Sequence, residues 1–134
     1  MIGIILCCHG DMANGMRSAA ELIVGPQQQF ETLGIKPGEG QDVLRSALKK
    51  AIRQVGRDGA VILTDLQGGT PFNVSVPLLN ERVRMLAGFN LPMLLQMLMG
   101  RLTENDLDRL TKGAAAHACQ HIVNASDILG EAKE

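Results

Sequence analysis

The chain opens with an apolar run that limits what it can fold into. Residues 1–8 read MIGIILCC and carry no charged side chain. An uninterrupted apolar run is typical of a strand buried on both faces, as strands of a parallel sheet are. It is much shorter than the roughly 20 apolar residues of a membrane span. It also lacks the basic segment and the cleavage site of a signal peptide. We therefore expect a core strand.

Strand-like and helix-like segments alternate along the rest of the chain. Further strands are predicted at residues 28–35, 60–65 and 82–90. Helices are predicted at residues 12–25, 38–59, 71–80, 91–100 and 104–120. Alternation of this kind predicts an α/β fold with a doubly wound, mainly parallel sheet of four strands and helices on both faces. The last segment, residues 121–129, either extends the last helix or forms an antiparallel edge strand, and we expect the strand.

Composition excludes several classes of function. A hydrophobic fraction of 46% over 134 residues fits one folded domain rather than a disordered chain. A net charge of -1 and the absence of Trp and Tyr give no basic surface and few stacking platforms, so no nucleic-acid partner is expected. The three cysteines are an odd number and do not form a disulfide framework, which predicts a reducing, cytoplasmic location.

Polar side chains follow three of the predicted strands. His9 follows the first strand, Asp65 ends another and Asn90 follows a third. In a parallel sheet the carboxyl ends of the strands share one edge, where binding sites form. We therefore expect His9 and Asp65 to lie close together. A carboxylate bound to one imidazole nitrogen fixes the tautomer and leaves the other nitrogen as a nucleophile.

A glycine-rich loop follows Asp65 and has the features of an anion site. Gly68 and Gly69 leave their backbone N–H groups unobstructed, and Thr70 is expected to cap a helix that begins at the next residue, a proline. Such helix starts favour phosphate groups. No lysine follows the glycines, so the loop is not an ATP-binding P-loop. With His9 opposite, the glycine N–H groups and the Thr70 hydroxyl would hold a phosphoryl group during its transfer.

Simpler explanations apply to each of these features. His9 can be an ordinary loop histidine, and QGGTPFN can be a tight turn with a helix cap. His117, Cys119 and His121 lie close enough in sequence to suggest a metal site. They lack a fourth ligand at zinc-site spacing, and the chain has no Cys-x-x-Cys pair, so neither a metal nor another cofactor is expected.

Three segments together resemble the IIA component of the mannose-family sugar phosphotransferase system. They read GIILCCHGDMANG, AVILTDLQGGTPFN and RMLAGFNLPMLLQML, and they follow the order and spacing of that family over almost the whole chain. The resemblance implies a phosphohistidine carrier with the phosphoryl group on His9, Asp65 as its partner and Thr70 at a Ser or Thr position. It also implies a homodimer, in which a strand from residues 121–129 would be exchanged between subunits.

The resemblance further implies the partners. The phosphoryl group would come from the histidine-containing phosphocarrier protein HPr and pass to a histidine of the IIB component, which associates with the membrane subunits IIC and IID. Residues 1–134 are expected to form a single IIA domain without a fused IIB domain, so IIB would be a separate polypeptide. Two alternatives remain open: a regulatory module with the same histidine, and the phosphotransfer subunit of a dihydroxyacetone kinase, against which GGTPFN and AGFNLPML argue.

Four more residues are candidates for the surroundings of the site: Gly10, Gln67, Asn73 and Asn90. Gln67 departs from the family, since relatives often carry an aromatic residue there that would shield the site and assist docking. The cysteine pair before His9 also departs from it, because small or hydroxyl residues are common at those positions. We expect Cys8 to pack in the core.

Overall fold

The computed structural model describes residues 1–133. The strands are β1 (Gly3–His9), β2 (Phe30–Ile35), β3 (Ala60–Thr64) and β4 (Val83–Ala87). The helices are α1 (Met12–Val24), α2 (Gln41–Val55), α3 (Thr70–Ser75), α4 (Leu91–Gly100), α5 (Leu107–Gln120) and α6 (Ala125–Lys133), and a 3-10 turn (Val76–Leu78) follows α3. Each strand is followed by at least one helix, as the alternating pattern predicted.

The strands form one parallel sheet in the order β2-β1-β3-β4. β1 lies in the interior and is buried along its length up to His9. Because β2 and β3 pair with opposite sides of β1, the chain reverses its direction of winding there. Ligands bind at the carboxyl end of the sheet at such a reversal. The predicted four-stranded parallel sheet is confirmed.

Helices cover both faces of the sheet, also as predicted. Alternate residues of β1 point to opposite faces. Ile4, Leu6 and Cys8 belong to one apolar cluster with residues of α1, α4 and α5, whereas Ile5 and Cys7 belong to a second cluster with residues of α2 and α3. None of the helices in residues 1–133 is long and apolar enough to cross a membrane.

The helix periodicity explains how α2 and α5 attach to the sheet. The buried side chains of α2 recur every three or four residues, which places them on one helix face. They are Leu44, Leu48, Ala51 and Val55. In α5 the buried positions are Leu110, Thr111, Ala114 and Ala118. Ile52, also in α2, is half-buried at the margin of this face.

Arg101 joins the end of α4 to the amino-end edge of the sheet. Its side chain donates hydrogen bonds to the carbonyl oxygens of Ile2 at 2.9 Å and Gln29 at 2.8 Å, and to that of Gln28. A further bond reaches Oε1 of Gln27 at 3.3 Å. Burial lowers the pKa of Arg101 to about 10, so the guanidinium keeps its charge at neutral pH. This arginine ties α4 to the segments that lead into β1 and β2.

The antiparallel C-terminal edge strand was a wrong prediction. Residues 121–124 lie outside regular structure and residues 125–133 form α6. The helix satisfies its own backbone groups: Asn124 Oδ1 accepts the Asp127 N–H at 3.3 Å, and the Asn124 carbonyl accepts the Ile128 N–H at 3.2 Å. A strand would need pairing along the sheet edge, whereas these bonds are local.

Candidate functional site

His9 and Asp65 meet at the carboxyl-end edge of the sheet. His9 ends β1, and Asp65 follows β3 directly. Oδ2 of Asp65 lies 2.7 Å from His9 Nδ1 and accepts the backbone N–H of His9 at 2.9 Å. Oδ1 accepts the Leu66 N–H at 3.1 Å. Both carboxylate oxygens are therefore held, and the imidazole is fixed by one of its nitrogens.

Burial and charge differ between the two partners. The Asp65 side chain is 9% exposed and that of His9 is 47% exposed. Burial alone would raise the pKa of Asp65, but the hydrogen bonds from the His9 backbone and ring, together with the imidazole charge, hold that pKa below its usual 3.8. Since the carboxylate is ionised at neutral pH, it favours the tautomer with the proton on Nδ1. Nε2 then carries a free lone pair.

The glycine loop packs directly against the imidazole. A Cβ atom at Gly69 would lie 2.7 Å from His9 Cε1 and 3.3 Å from Nε2, so only glycine fits beside the ring in this position. Gly68 has a φ of +85°, a conformation that favours glycine. Among the described residues, none accepts a hydrogen bond from the backbone N–H of Gly68, Gly69 or Thr70. Gly69 and Thr70 therefore bring the start of this segment to the imidazole of His9.

The start of α3 differs by one residue from the prediction. Gly69, in an extended conformation, is the N-cap, and Thr70 is the first helical residue. The first helical bond runs from the Asn73 N–H to the Gly69 carbonyl at 2.9 Å. Thr70 is therefore not the N-cap, and it lines the cavity beside His9. The Asn73 side chain donates to the Gly68 carbonyl at 3.1 Å and so braces the loop.

A cavity of about 380 Å³ lies beside His9. It is lined by His9, Gly10, Ile35, Lys36, Pro37 and Thr70. The cavity therefore brings the candidates Gly10 and Thr70 to the histidine. Ile35, Lys36 and Pro37, at and just after the end of β2, were not among the predicted site residues, although the rule that located His9 and Asp65 applies there too. Ile35 pairs with His9 in the sheet, and its carbonyl accepts the Gly10 N–H at 2.9 Å.

The remaining two candidates, Gln67 and Asn90, differ in their surroundings. Gln67 is exposed on the glycine loop. Asn90 caps α4, because its Oδ1 accepts the Met93 N–H at 2.9 Å, and its Nδ2 donates to the Ala118 carbonyl at 3.3 Å. The polar atoms of Asn90 therefore bind helices α4 and α5, and the structure does not bring them to His9.

The cysteines before His9 are buried, neutral thiols. Burial, reinforced by the nearby charge of Asp65, raises the pKa of Cys8 to about 12. Burial raises the pKa of Cys7 to about 12 as well, against a hydrogen bond with Ser75 that lowers it. Both side chains are fully buried. The expected packing of Cys8 is confirmed, and neither thiol is a nucleophile at neutral pH.

The C-terminal histidines pair with each other. The ring centroids of His117 and His121 lie 3.9 Å apart, and His121 Nδ1 lies 2.8 Å from the His117 carbonyl oxygen. Within residues 1–133, no group of three or more His, Cys, Asp or Glu side chains is arranged to hold a metal ion.

Comparison with known proteins gives this site a context. The family model described as the PTS system fructose IIA component matches residues 3–114. The chain belongs to the mannose-class IIA family of the sugar phosphotransferase system. IIA components are phosphotransferases, which transfer phosphoryl groups between proteins.

Individual relatives agree with this assignment. The IIA chain is 32% identical over 101 residues to the fructose-specific EIIA component of Bacillus subtilis, which covers 73% of this chain and 69% of the relative. It is 34% identical over 96 residues to the sorbose-specific EIIA component of Lacticaseibacillus casei, covering 70% of each. The crystal structure of EIIA from Streptococcus agalactiae matches with a TM-score of 0.88 at 32% identity, over 95% of this chain and 99% of that one. The resemblance to mannose-family IIA components is confirmed.

Proposed function

We propose that this IIA chain is a phosphohistidine carrier, in which His9 accepts a phosphoryl group from HPr and passes it to a histidine of the IIB component. One observation carries the proposal. Asp65 Oδ2 binds both Nδ1 of His9, at 2.7 Å, and its backbone N–H, at 2.9 Å. The carboxylate thus holds the ring from one side and leaves Nε2 as the nucleophile.

The reaction needs only the exchange of one P–N bond for another. The Nε2 lone pair of His9 attacks the phosphorus of the donor phosphohistidine, and the donor P–N bond breaks with its electron pair remaining on the donor imidazole. Positive charge develops on the His9 ring, and the ionised Asp65 stabilises it through Nδ1–H. In the second transfer His9 is the leaving group, and the same contacts position it.

The glycine loop is assigned to the phosphoryl oxygens. The backbone N–H groups of Gly68 and Gly69 and the Thr70 hydroxyl are the proposed donors, since Gly69 packs against the His9 ring, Gly68 directly precedes it, and Thr70 lines the cavity beside His9. Phosphoryl transfer depends on positioning and charge stabilisation. Gly10 and Asn73 act indirectly, by shaping the cavity and bracing the loop.

The rim of the site supplies a docking surface for HPr and IIB. Leu66 is 50% exposed directly after Asp65, and Met12 is 39% exposed at the start of α1. Gln67 is exposed on the same loop. The proposal includes a cytoplasmic location and indirect contact with IIC and IID. The matched relatives are components of sugar systems, so the regulatory and dihydroxyacetone-kinase alternatives are not favoured.

A homodimer is the proposed assembly. β4 is an edge strand, and a cavity of about 410 Å³ runs along it. In α6, Ile128 and Leu129 are 53% and 59% exposed, which leaves apolar surface for a second copy to cover. Sedimentation equilibrium is expected to give the dimer mass, and a monomer at micromolar concentration would contradict this assembly.

The phosphocarrier role is tested by intact-mass analysis at neutral to alkaline pH, after incubation with phosphoenolpyruvate, enzyme I and HPr. The wild-type chain is expected to gain one acid-labile phosphoryl group. His9→Ala is expected to gain none, because the accepting nitrogen is gone, whereas the control His117→Ala gains one as the wild type does. If HPr is phosphorylated and the wild type gains nothing, the proposed function is wrong.

A further inference from the structure

One lysine shares the cavity with His9 and has no role in the site described so far. Lys36 lines the cavity of about 380 Å³ together with His9 and Thr70. Apart from His9 itself, it is the only lining residue with an ionisable side chain. The other charged group of the site, Asp65, is bound to His9. The residues that line the cavity therefore include one histidine, one threonine and one lysine.

The sheet register places Lys36 at this position. Ile35 pairs with His9 across β1 and β2, and its carbonyl accepts the Gly10 N–H at 2.9 Å. Lys36 is the next residue, so its backbone leaves the sheet beside Gly10. A turn then fixes it: the Glu39 N–H donates to the Lys36 carbonyl at 3.1 Å, and Gly38 has a φ of +83°.

The ammonium group of Lys36 is not neutralised by an ion pair in the described part of the chain. The ion pairs among residues 1–133 do not include Lys36. The nearest carboxylate in sequence, Glu39, faces the Lys36 backbone N–H, with Oε2 3.4 Å from the nitrogen. The side chain is exposed. Its positive charge is therefore available to a group that enters the cavity.

We propose that Lys36 stabilises the negative charge of the phosphoryl group carried by His9. This role rests on the proposed function and concerns the same site. In the transfer, the donor P–N bond breaks and the His9 Nε2–P bond forms, while the phosphoryl oxygens keep their negative charge. The glycine N–H groups supply only partial positive charge to those oxygens, whereas the lysine supplies a full one. It favours the phosphorylated state of this carrier relative to its donor.

The effect is modest because the lysine is exposed to water. Exposed charge pairs contribute little, so we expect a change of roughly threefold to fivefold in the phosphoryl-exchange equilibrium constant. The effect decreases with added salt, because dissolved ions screen the attraction between exposed charges. The Debye length, the distance beyond which this screening dominates, is about 10 Å at 0.1 M ionic strength. A structural role of Lys36 would show no such dependence on salt.

The experiment compares Lys36→Gln, Lys36→Arg and the control Lys50→Gln, which removes an exposed charge from α2. The equilibrium constant for exchange with phosphorylated HPr is measured by intact mass at low and high salt. Lys36→Gln is expected to lower it by the stated factor at low salt only. Lys36→Arg and Lys50→Gln are expected to match the wild type.

A second measurement responds to charge at the phosphoryl group itself. In a phosphorus NMR titration of the phosphorylated chain, Lys36→Gln is expected to raise the pH at which the phosphoryl group loses its second proton, because a nearby cation favours the dianion. Lys36→Gln and Lys50→Gln agreeing in both measurements would overturn the role of Lys36 while leaving the carrier function intact. A wild type that is not phosphorylated on His9 would overturn both.

Discussion

At the amino-end edge of the sheet, Arg101 is 4% exposed and donates its hydrogen bonds to the carbonyl oxygens of the segments leading into β1 and β2. At the carboxyl-end edge, the His9 side chain is 47% exposed and is held through one ring nitrogen by Asp65. A basic side chain thus lies beside the strand ends at each edge. The arginine is used for stability, whereas the histidine keeps one nitrogen open for chemistry. The variants below test this division.

Arg101→Met is expected to have the largest effect on stability. The methionine fills part of the space but leaves buried carbonyl oxygens without donors, so we expect a loss of about 3 kcal/mol in the free energy of unfolding. Urea unfolding measures it, with Arg53→Met on the exposed face of α2 as control. The Arg101→Met variant, where folded, should still accept a phosphoryl group on His9. A loss below about 1 kcal/mol would show that the amino-end edge does not depend on this arginine.

Asp65→Asn is expected to have the next largest effect, and on function rather than on folding. The amide keeps the shape but lacks the charge that stabilises the imidazolium, so the initial rate of phosphoryl acceptance should fall roughly tenfold to a hundredfold. Rapid-quench labelling with phosphorylated HPr measures the rate. An unchanged rate would mean that Asp65 only positions the ring.

The same pair predicts a pH dependence of stability. The pKa of Asp65 is lower in the folded chain than its usual 3.8, so its contribution is present at neutral pH and is lost as the pH falls through the folded-state value. The difference in melting temperature between wild type and Asp65→Asn should therefore be constant down to about pH 5 and shrink below about pH 4. A difference that grows in acid would contradict the assignment of the ionised carboxylate.

Gly69→Ala is expected to have a smaller effect, on the site alone. Its φ of -78° suits alanine, so the backbone is not strained, but the new Cβ would lie 2.7 Å from His9 Cε1. The ring must move, and we expect roughly a tenfold slower phosphoryl acceptance. In the control Gly113→Ala the Cβ meets nothing within 4 Å, so the rate should be unchanged while stability rises by about 0.5–1 kcal/mol. Equal rates in both variants would remove the steric role of Gly69.

Much of this architecture could be predicted because it depends on local patterns. The unbroken apolar run before His9 identified β1, and the rule that strand ends share an edge brought His9 and Asp65 together. Lys36 could not be placed from the sequence, because residues 28–35 were predicted as a strand but nothing in the sequence shows that this strand lies next to β1. The position of Lys36 depends on the pairing of Ile35 with His9, which is a contact between residues distant in sequence.

The errors also have physical causes. The exact start of α3 was misplaced because both Thr70 and Gly69 are acceptable N-caps, and the extended backbone of Gly69 decided between them. The C-terminal segment was expected to be a strand because the resemblance to mannose-family IIA components implies one at residues 121–129. Whether such residues pair depends on a sheet edge elsewhere in the chain, and here the local bonds of Asn124 begin a helix instead.

The contact between His9 and Asp65 joins residues 56 apart in sequence, and the cavity adds residues from the end of β2. Contacts of such long range form only after the intervening chain has closed a large loop. Acceptance of a phosphoryl group is therefore a property of the completed sheet. In a nascent or partly folded chain, the histidine is not hydrogen-bonded to the carboxylate that orients it. Labelling by the donor accordingly reports on native chains alone and excludes incomplete ones from the relay.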